Sequence, residues 1–263
     1  MFGWLTHAPP NPILLTLGAV QLHWYGVSLA LGLLAGVFLA QHVGKRIGLT
    51  REQVVDLTLI MVVSALVGAR LLHVLNEWTY YQGHLIEILQ IWKGGIAFHG
   101  ALLGGALAVW GYCRQHKRNI FQLADVLLPA LALGQIIGRW GNWFNQELYG
   151  RPTGLPWAIP IDPAHRLLGF EAFTRFHPLF LYEMLGNAII LVFLLLLWKR
   201  KKLHIGDVAA AYLVLSPGVR LGLDFLRLGE PMIGPFTNAQ LFSFILILVG
   251  VALVFTRQRR PLY

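Results

Sequence analysis

The stretch AIILVFLLLLW, residues 188–198, places eleven apolar side chains in succession. A helix of this composition is apolar around its whole circumference, which is typical of a segment surrounded by lipid rather than of an amphipathic surface helix. The apolar pattern extends over 178–198, and about 20 residues are enough to cross the hydrocarbon core of a membrane. The segment therefore predicts a transmembrane helix.

The rest of the chain shares this composition. Of its 263 residues, 56% are apolar and only 13% are charged, whereas a soluble domain carries about a quarter charged residues. We therefore expect an all-α integral membrane protein, a single polytopic domain over 1–263 with about seven transmembrane helices. The third and sixth segments are weaker, because glycines, His99, Pro217 and Arg220 interrupt them. The seven apolar segments are 23–42, 54–75, 95–113, 121–139, 178–198, 206–226 and 237–256.

The distribution of positive charge predicts the orientation in the membrane. Thirteen of the 21 Lys and Arg residues lie in 43–53, 114–120, 199–205 and the C-terminal tail, which share one side if seven spans alternate. The positive-inside rule assigns that side to the cytoplasm. The N-terminus then lies outside, the C-terminus inside, and residues 140–177 form a small head segment on the outer face, between spans 4 and 5. The net charge of +9 therefore reports topology rather than a nucleic-acid partner.

A polar stretch, GRWGNWFNQELYG, follows the fourth span at residues 138–150. It places Arg139, Asn142, Asn145 and Glu147 within nine positions. An interfacial cap with a snorkelling arginine is one explanation. The other is an anionic head-group site, in which the guanidinium holds a phosphate and the amides donate to glycerol or phosphate oxygens.

The sixth segment contains SPGVRLGLDFLRL, residues 216–228. On a helix, Arg220, Asp224 and Arg227 share one face, so Arg220 can pair with Asp224 four residues later. Pro217 and Gly218 are expected to break the helix and open a polar cavity. The sequence leaves open whether Arg220 belongs to a structural ion pair or is a second phosphate-binding arginine.

Three further positions place polar groups inside apolar segments. His99 is either a hydrogen-bonded packing residue or a base, because imidazole accepts protons near neutral pH. Tyr25 is either an interfacial aromatic or a phenol directed at a head group. Glu183 needs a cationic partner in lipid, and Arg70 and Arg220 are the candidates for a structural bridge.

Most of these residues lie at the outer ends of their spans, so we expect them to converge on one cavity open to the outer leaflet. Several arginines with a histidine and amide donors suit a phospholipid. No HExxH motif or His/Cys cluster at metal-ligand spacing occurs, nor does any GxSxG, P-loop or GxGxxG motif.

The stretch 138–150 closely resembles the signature of the bacterial prolipoprotein diacylglyceryl transferases, in which Gly-Arg-x-Gly-Asn, a second Asn and a Glu recur at this spacing. The resemblance extends over most of the chain through short segments in the family's order. These segments are WYG at 24–26, GARLLHVL at 68–75, FHG at 98–100, HPLFLYE at 177–183, and Arg220 with an acid four residues later.

The resemblance implies a bacterial inner-membrane enzyme that transfers the diacylglyceryl group of phosphatidylglycerol to the lipobox cysteine of a prolipoprotein signal peptide. A thioether forms and glycerol phosphate is released, without metal or cofactor. By matching motif, the site residues carried over are Tyr25, His99, Arg139, Asn142, Glu147, Gly150, Arg220 and Asp224.

In this reaction Arg139 and Arg220 are expected to hold the phosphate, while Tyr25, Asn142 and Glu147 orient the head group. His99 is the candidate base for the thiol, although an arginine near the thiol is an alternative. The chain departs from the family pattern at Ala101, where a second glycine is usual, at Asp224, where Glu is usual, and at Ser216–Gly218, which replaces a usual Tyr-Gly.

Two other classes of function remain open on the residues alone. Intramembrane arginines also serve anion or lipid transporters, and a lipid-binding protein without activity needs the same head-group contacts. The sequence has no detectable internal repeat and clusters its polar groups on one side, both of which argue against a transporter. Intramembrane proteolysis is disfavoured, because no Ser/His pair or paired aspartates are visible.

Overall fold

The computed structural model describes residues 11–18, 20–200, 202–229 and 232–256. The described chain is mostly helical, with three short antiparallel strand pairs: β1 (Ile13–Leu17) with β2 (Val20–His23), β3 (Ile159–Pro160) with β4 (Arg175–Phe176), and β5 (Met232–Ile233) with β6 (Phe236–Thr237). The helices are α1 (Trp24–Gly44), α2 (Arg51–Asn76), α3 (Trp78–Tyr81), α4 (Phe98–Gln115), α5 (Ile120–Phe144), α6 (Leu179–Trp198), α7 (Asp207–Asp224) and α8 (Asn238–Thr256).

Five of the described helices are long and apolar enough to cross a membrane. They are α1 with the turn that continues it to Ile47, then α2, α5, α6 and, as far as Phe255, α8. Helices α4 and α7, of 18 residues each, correspond to the two weaker segments of the sequence. The expectation of a helical membrane protein is thus confirmed, while seven spans remain a prediction. Lys201 and the tail arginines lie outside the described residues.

Two of the helix boundaries that differ from the sequence prediction affect the site. Helix α4 begins at Phe98 rather than 95, because Gly94 and Gly95 take left-handed backbone angles, φ +88° and +79°, that an α-helix excludes. Helix α5 continues to Phe144, past the predicted end at 139. Arg139, the last residue of the predicted span, therefore lies inside the helix, and Asn142 lies in its last turn rather than beyond it.

The expected break at Pro217 and Gly218 is wrong, because α7 continues through both residues. Proline lacks the N–H that would bond the carbonyl four residues earlier, but the helix survives the loss of that single bond. Helix α7 ends at Asp224, so Arg227 does not share a helical face with Arg220.

Within the described residues, the chain forms two compact units, residues 11–40 with 124–256, and residues 41–123. In the first unit, α1 packs against α5 through facing glycines: a Cβ on Gly32 would lie 2.7 Å from the Gly134 carbonyl oxygen. Trp24 stacks on Phe144 with ring centroids 5.0 Å apart. Helices α6, α7 and α8 pack consecutively beside one another.

In the second unit, α2 and α4 approach through small residues. A Cβ on Gly68 would lie 2.4 Å from the Gly100 carbonyl oxygen, and one on Gly104 would lie 2.1 Å from the Ser64 carbonyl oxygen. Such backbone contact between apolar helices is a known use of glycine in membranes. Arg118 donates to the carbonyls of Ile47 and Gly48 at 2.9 and 3.0 Å, which joins the turns after α1 and α4.

The head segment folds around its own apolar core, which the ends of α5 and α6 complete. This core consists of Trp143, Tyr149, Ile159, Ile161, Phe176 and Phe180. The Gln146 side chain anchors the segment, since its Nε2 donates to Asp162 Oδ2 and its Oε1 accepts from the Asp162 N–H at 2.8 Å. The connection between α5 and α6 is therefore a packed structure rather than a loose linker.

Candidate active site

A buried carboxylate, Glu183 on α6, pairs with two arginines. Arg220 Nη1 donates to Glu183 Oε1 at 2.9 Å, and Arg139 Nη2 forms an ion pair with Oε2. The two guanidinium side chains keep 25% and 26% of their surface exposed, so a ligand can reach them. These three side chains carry a formal charge of +1, and the Glu147 carboxylate, which accepts from Asn142, brings the wider group to zero. What suits a phosphate is therefore the pair of partly exposed guanidinium groups rather than a net charge.

Asn142 connects this cluster to the segment after α5. Arg139 Nη1 donates to Asn142 Oδ1 at 3.3 Å, and Asn142 Nδ2 donates to Glu147 Oε1 at 2.7 Å. Asn142 is buried, whereas Glu147 is exposed. The guanidinium of Arg139 is thus held from two directions, which fixes the orientation of its planar fork.

Tyr25, on the first turn of α1, lies next to the same cluster. A Cβ on Gly141 would be 2.7 Å from Tyr25 Cδ2, so the glycine lets the phenol approach α5. The phenol is close enough to the Arg139 guanidinium and the Glu147 carboxylate to interact with both charges. The structure therefore brings together Tyr25, Arg139, Asn142, Glu147, Glu183 and Arg220.

The partner of Asp224 differs from the sequence expectation. Arg220 forms its ion pair with Glu183 of α6, whereas Asp224 Oδ2 accepts from Thr237 Oγ1 at 2.8 Å. Asp224 Oδ1 is buried and has no hydrogen-bond partner among the described residues. Asp224 thus connects the end of α7 to Thr237, the residue before α8. The backbone of Arg227, the other charged residue expected on this face, forms an isolated β-bridge with Gly150.

The backbone after α5 is strained on both sides of Glu147. Gln146 and Leu148 take φ of +52° and +55°, a left-handed conformation that costs a residue with a side chain about 1–2 kcal/mol. Asn145 lies here too and, with Glu147, His165 and Arg227, lines a cleft of about 350 Å³. Strain of this kind is concentrated at functional sites. No role for Gln146 followed from the sequence pattern.

Hydrogen bonds from buried and partly buried rings hold the head segment beside the cluster. The Tyr149 hydroxyl donates to the His165 carbonyl at 2.8 Å and accepts from the Leu167 N–H at 2.7 Å, and burial raises the pKa of Tyr149. His177 Nδ1 lies 3.1 Å from the Tyr182 hydroxyl, and burial lowers the pKa of His177. Both shifts favour the uncharged rings, so this packing persists near neutral pH.

The geometry and the comparisons with known proteins point the same way. A profile of the prolipoprotein diacylglyceryl transferase family matches residues 12–256. The chain belongs to this family. The phosphatidylglycerol–prolipoprotein diacylglyceryl transferase of Acaryochloris marina is 41% identical over 249 residues, which cover 94% of this chain and 91% of the relative. The relative of the same name in Synechocystis is 40% identical, over 92% of this chain and 88% of its own length. The one in Gloeobacter violaceus is also 40% identical, over 95% of this chain and 94% of its own length.

The two other residues expected in a prolipoprotein diacylglyceryl transferase site, His99 and Arg70, belong to the second unit. His99 is exposed on the second residue of α4, with its ring edge-on to Phe98 at 5.8 Å. Arg70 is buried and donates to the carbonyls of Ile88, Gly94 and Gly95 at 2.7–2.8 Å, and to that of Glu87. Arg70 therefore organises the segment before α4. Of the two candidate partners, Arg220 forms an ion pair with Glu183, and Arg139, which was not among the candidates, forms a second one.

Gly150 occupies a place where only a glycine fits. Its N–H donates to the His177 carbonyl at 2.9 Å. An added Cβ would lie 2.8 Å from the Leu226 carbonyl oxygen and 3.0 Å from both His177 Cβ and Leu179 Cγ. The strand-like segment at Gly150 thus passes between the chain before α6 and the chain after α7.

We expect Gly150→Ala to destabilise the protein by about 1–3 kcal/mol, because overpacking forces the backbone apart. The matched control is Gly154→Ala, since a Cβ on Gly154 meets nothing within 4 Å. Thermal unfolding of both variants in detergent, followed by circular dichroism, measures the difference. Equal unfolding temperatures for the two variants would contradict the close packing at Gly150.

The Glu183 carboxylate predicts a second stability effect. In Glu183→Gln both arginines lose their counter-charge. The amide N–H₂ also faces one of the two guanidinium groups, which then loses its hydrogen-bond acceptor. Breaking a buried ion pair from one side costs about 3–5 kcal/mol, and we expect a loss near the lower figure because both arginines are partly exposed. Glu171→Gln, an exposed carboxylate in the head segment, is the control. Equal unfolding temperatures for the two variants would show that the Glu183 cluster adds no stability.

Proposed function

We propose that this protein transfers the sn-1,2-diacylglyceryl group of phosphatidylglycerol to the lipobox cysteine of prolipoproteins, the first step of lipoprotein maturation. Its substrates are phosphatidylglycerol and the signal peptide that carries the cysteine. The observation that carries the proposal is the cluster of Arg139 and Arg220 on Glu183, in which two partly exposed guanidinium groups converge and can donate to a phosphatidylglycerol phosphate. The names of the relatives, which match over nearly their whole length, support the same substrates.

The reaction exchanges a carbon–oxygen bond for a carbon–sulfur bond. The thiolate attacks the glyceryl carbon that bears the phosphate ester, a thioether forms, and the bond to the phosphate oxygen breaks. The departing glycerol phosphate carries one more negative charge than the diester did. Arg139 and Arg220 stabilise this developing charge, an effect that is stronger in the transition state than in the bound lipid.

The proton of the thiol must be removed before attack, because the thiolate is the nucleophile. Following the family resemblance, we assign the role of the base that accepts this proton to His99. The alternative is an arginine whose positive charge lowers the pKa of the thiol. Tyr25, Asn142, Asn145 and Glu147 supply hydroxyl, amide and carboxylate groups for the glycerol head group. Gly150 and Asp224 position these elements through packing and the Thr237 contact.

The proposed topology is a bacterial inner-membrane protein with seven spans, an outer N-terminus and a cytoplasmic C-terminus. In the first unit, the basic segment 199–205 connects the end of α6 to the start of α7. Glu183 lies near the start of α6 and Arg220 near the end of α7, so both residues are at the helix ends that lie away from the basic segment. If the basic segment is cytoplasmic, the charge cluster lies in the outer half of the membrane, beside the head segment 140–177.

Thioether formation by the purified protein tests the function. Micelles containing phosphatidylglycerol are mixed with a peptide that carries a lipobox cysteine, and the product is identified by mass. We expect product with phosphatidylglycerol and the cysteine peptide, and none with phosphatidylethanolamine or with a Cys→Ser peptide. If folded protein binds phosphatidylglycerol but forms no product, it is a lipid-binding or transport protein instead. A flux of anions or lipid across vesicle membranes would then distinguish a transporter from a lipid-binding protein.

A further inference from the structure

Helix α7 receives its N-terminal cap from another helix. Its own N-cap residue, Gly206, has no side chain and a left-handed φ of +91°. The carboxylate of Asp125 on α5, which is completely buried, takes the place of a cap. Asp125 Oδ2 accepts from the Gly206 N–H at 2.7 Å, and Oδ1 accepts from the Ala209 N–H at 2.8 Å.

A second polar link continues the connection between the same two helices. The Tyr212 hydroxyl donates to Gln135 Oε1 at 3.0 Å. Beside the first link, Ala209 and Ala210 of α7 form a buried apolar cluster with Leu253 of α8, and Ala124 and Leu128 of α5 pack against this cluster. Small side chains allow close approach but give little resistance to sliding, so the hydrogen bonds of Asp125 and Gln135 define the axial register.

The register matters because each helix carries one of the two site arginines at its far end. Arg139 follows Asp125 by 14 residues on α5, and Arg220 follows Ala209 by 11 residues on α7, distances of about 21 and 17 Å along helices that run in the same direction. A slip of one residue moves a helix by about 1.5 Å and rotates it by about 100°. A slip of α7 against α5 would move Arg220 relative to Arg139. Glu183 of α6, whose Oε1 is 2.9 Å from Arg220 Nη1, could then no longer hold both arginines.

We propose that Asp125 is a positioning residue for the transfer reaction: by binding the first turn of α7 to α5, it sets Arg220 against Arg139 at Glu183. The proposal rests on the function proposed above. It assigns a reaction role to a carboxylate at the opposite end of α5 from the chemistry.

The test compares Asp125→Asn with Asp207→Asn. Asp207 also accepts a backbone N–H at the start of α7, that of His204 at 2.9 Å, but this bond lies within its own turn. In Asp125→Asn, the new amide keeps one acceptor and turns an N–H₂ group toward the second backbone N–H. We expect both variants to unfold at lower temperature, while only Asp125→Asn lowers kcat for thioether formation, by at least tenfold. A kcat loss of the same size in both variants would reduce Asp125 to a stabilising cap and overturn the proposal.

A double-variant cycle with Arg220→Lys separates positioning from stability. If Asp125 acts by placing Arg220, Asp125→Asn costs at least tenfold in kcat in the wild-type background and less than twofold in the Arg220→Lys background. Asp207→Asn should show the same small factor in both backgrounds. The same tenfold factor for Asp125→Asn in both backgrounds would overturn the proposal.

A distance measurement tests the register without relying on activity. Spin labels on cysteines that replace the exposed Leu131 of α5 and Leu215 of α7 report the relative position of the helices, with Cys113 replaced by alanine. We expect Asp125→Asn to shift or broaden the distance distribution and Asp207→Asn to leave it unchanged. An unchanged distribution in Asp125→Asn would refute the positioning role even if transfer is observed. If Asp125→Asn shifts the distance distribution but the wild-type protein forms no thioether, the proposed function is refuted and the effect of Asp125 on the helix register stands.

Discussion

Arg139→Lys is expected to lower kcat for diacylglyceryl transfer by about 10²–10³, the typical loss when one preorganised donor to a developing anion is removed. The guanidinium of Arg139 contacts Glu183 through Nη2 and Asn142 through Nη1. A lysine keeps the charge but offers a single point donor on a flexible stem, so it cannot hold both neighbours and a phosphate in one plane. Initial rates at saturating phosphatidylglycerol measure the effect.

The control for this prediction is Arg151→Lys, which changes an exposed arginine in the head segment. We expect this variant to keep kcat within about twofold, since exposed charges contribute little. If Arg139→Lys also keeps more than a third of the wild-type kcat, the charge alone is sufficient. The forked geometry would then play no part in stabilising the leaving phosphate.

The sequence predicted helices well where apolar patterns were uninterrupted and less well where polar residues entered a helix. Arg139 and Asn142 suggested the end of a span, yet α5 includes both, because their side chains bond each other and Glu147 within the packed site. Pro217 suggested a break, but tertiary packing maintains α7 through it. The contacts of Arg139 and Asn142 with each other and with Glu147 are local, whereas the ion pair of Arg139 with Glu183 and the packing of α7 against α6 and α8 join residues far apart in sequence. A local pattern does not contain these long-range contacts.

The same reasoning explains what could be predicted about the site. Charge balance in lipid was enough to predict that Glu183 pairs with a cation, and Arg220 was one of the two candidates. The second partner, Arg139, depends on how α5 packs against α6, which no spacing rule contains. The cap that Asp125 provides to Ala209 spans 84 residues, so sequence proximity gave no signal for it.

His99→Gln is expected to lower the single-turnover rate near neutral pH by about 10²–10⁴, the usual contribution of a positioned general base. Glutamine preserves approximate size and hydrogen bonding but cannot accept the thiol proton. The deficit should shrink as pH rises past about 8.5, where a cysteine thiol ionises without help. Rates measured across this pH range with phosphatidylglycerol and a lipobox peptide follow both effects.

The comparison that decides the role of His99 uses the opposite end of the same helix. His116, the exposed residue that ends α4, stacks on Tyr112 at 4.1 Å, so His116→Gln makes the same chemical change and should leave the rate within about twofold. A His99→Gln rate within threefold of wild type at neutral pH would exclude His99 as the base. Thiol activation would then fall to an arginine, which lowers the thiol pKa through its charge. A large deficit that stays constant from neutral pH to above the thiol pKa would instead show that His99 acts on a step other than proton removal.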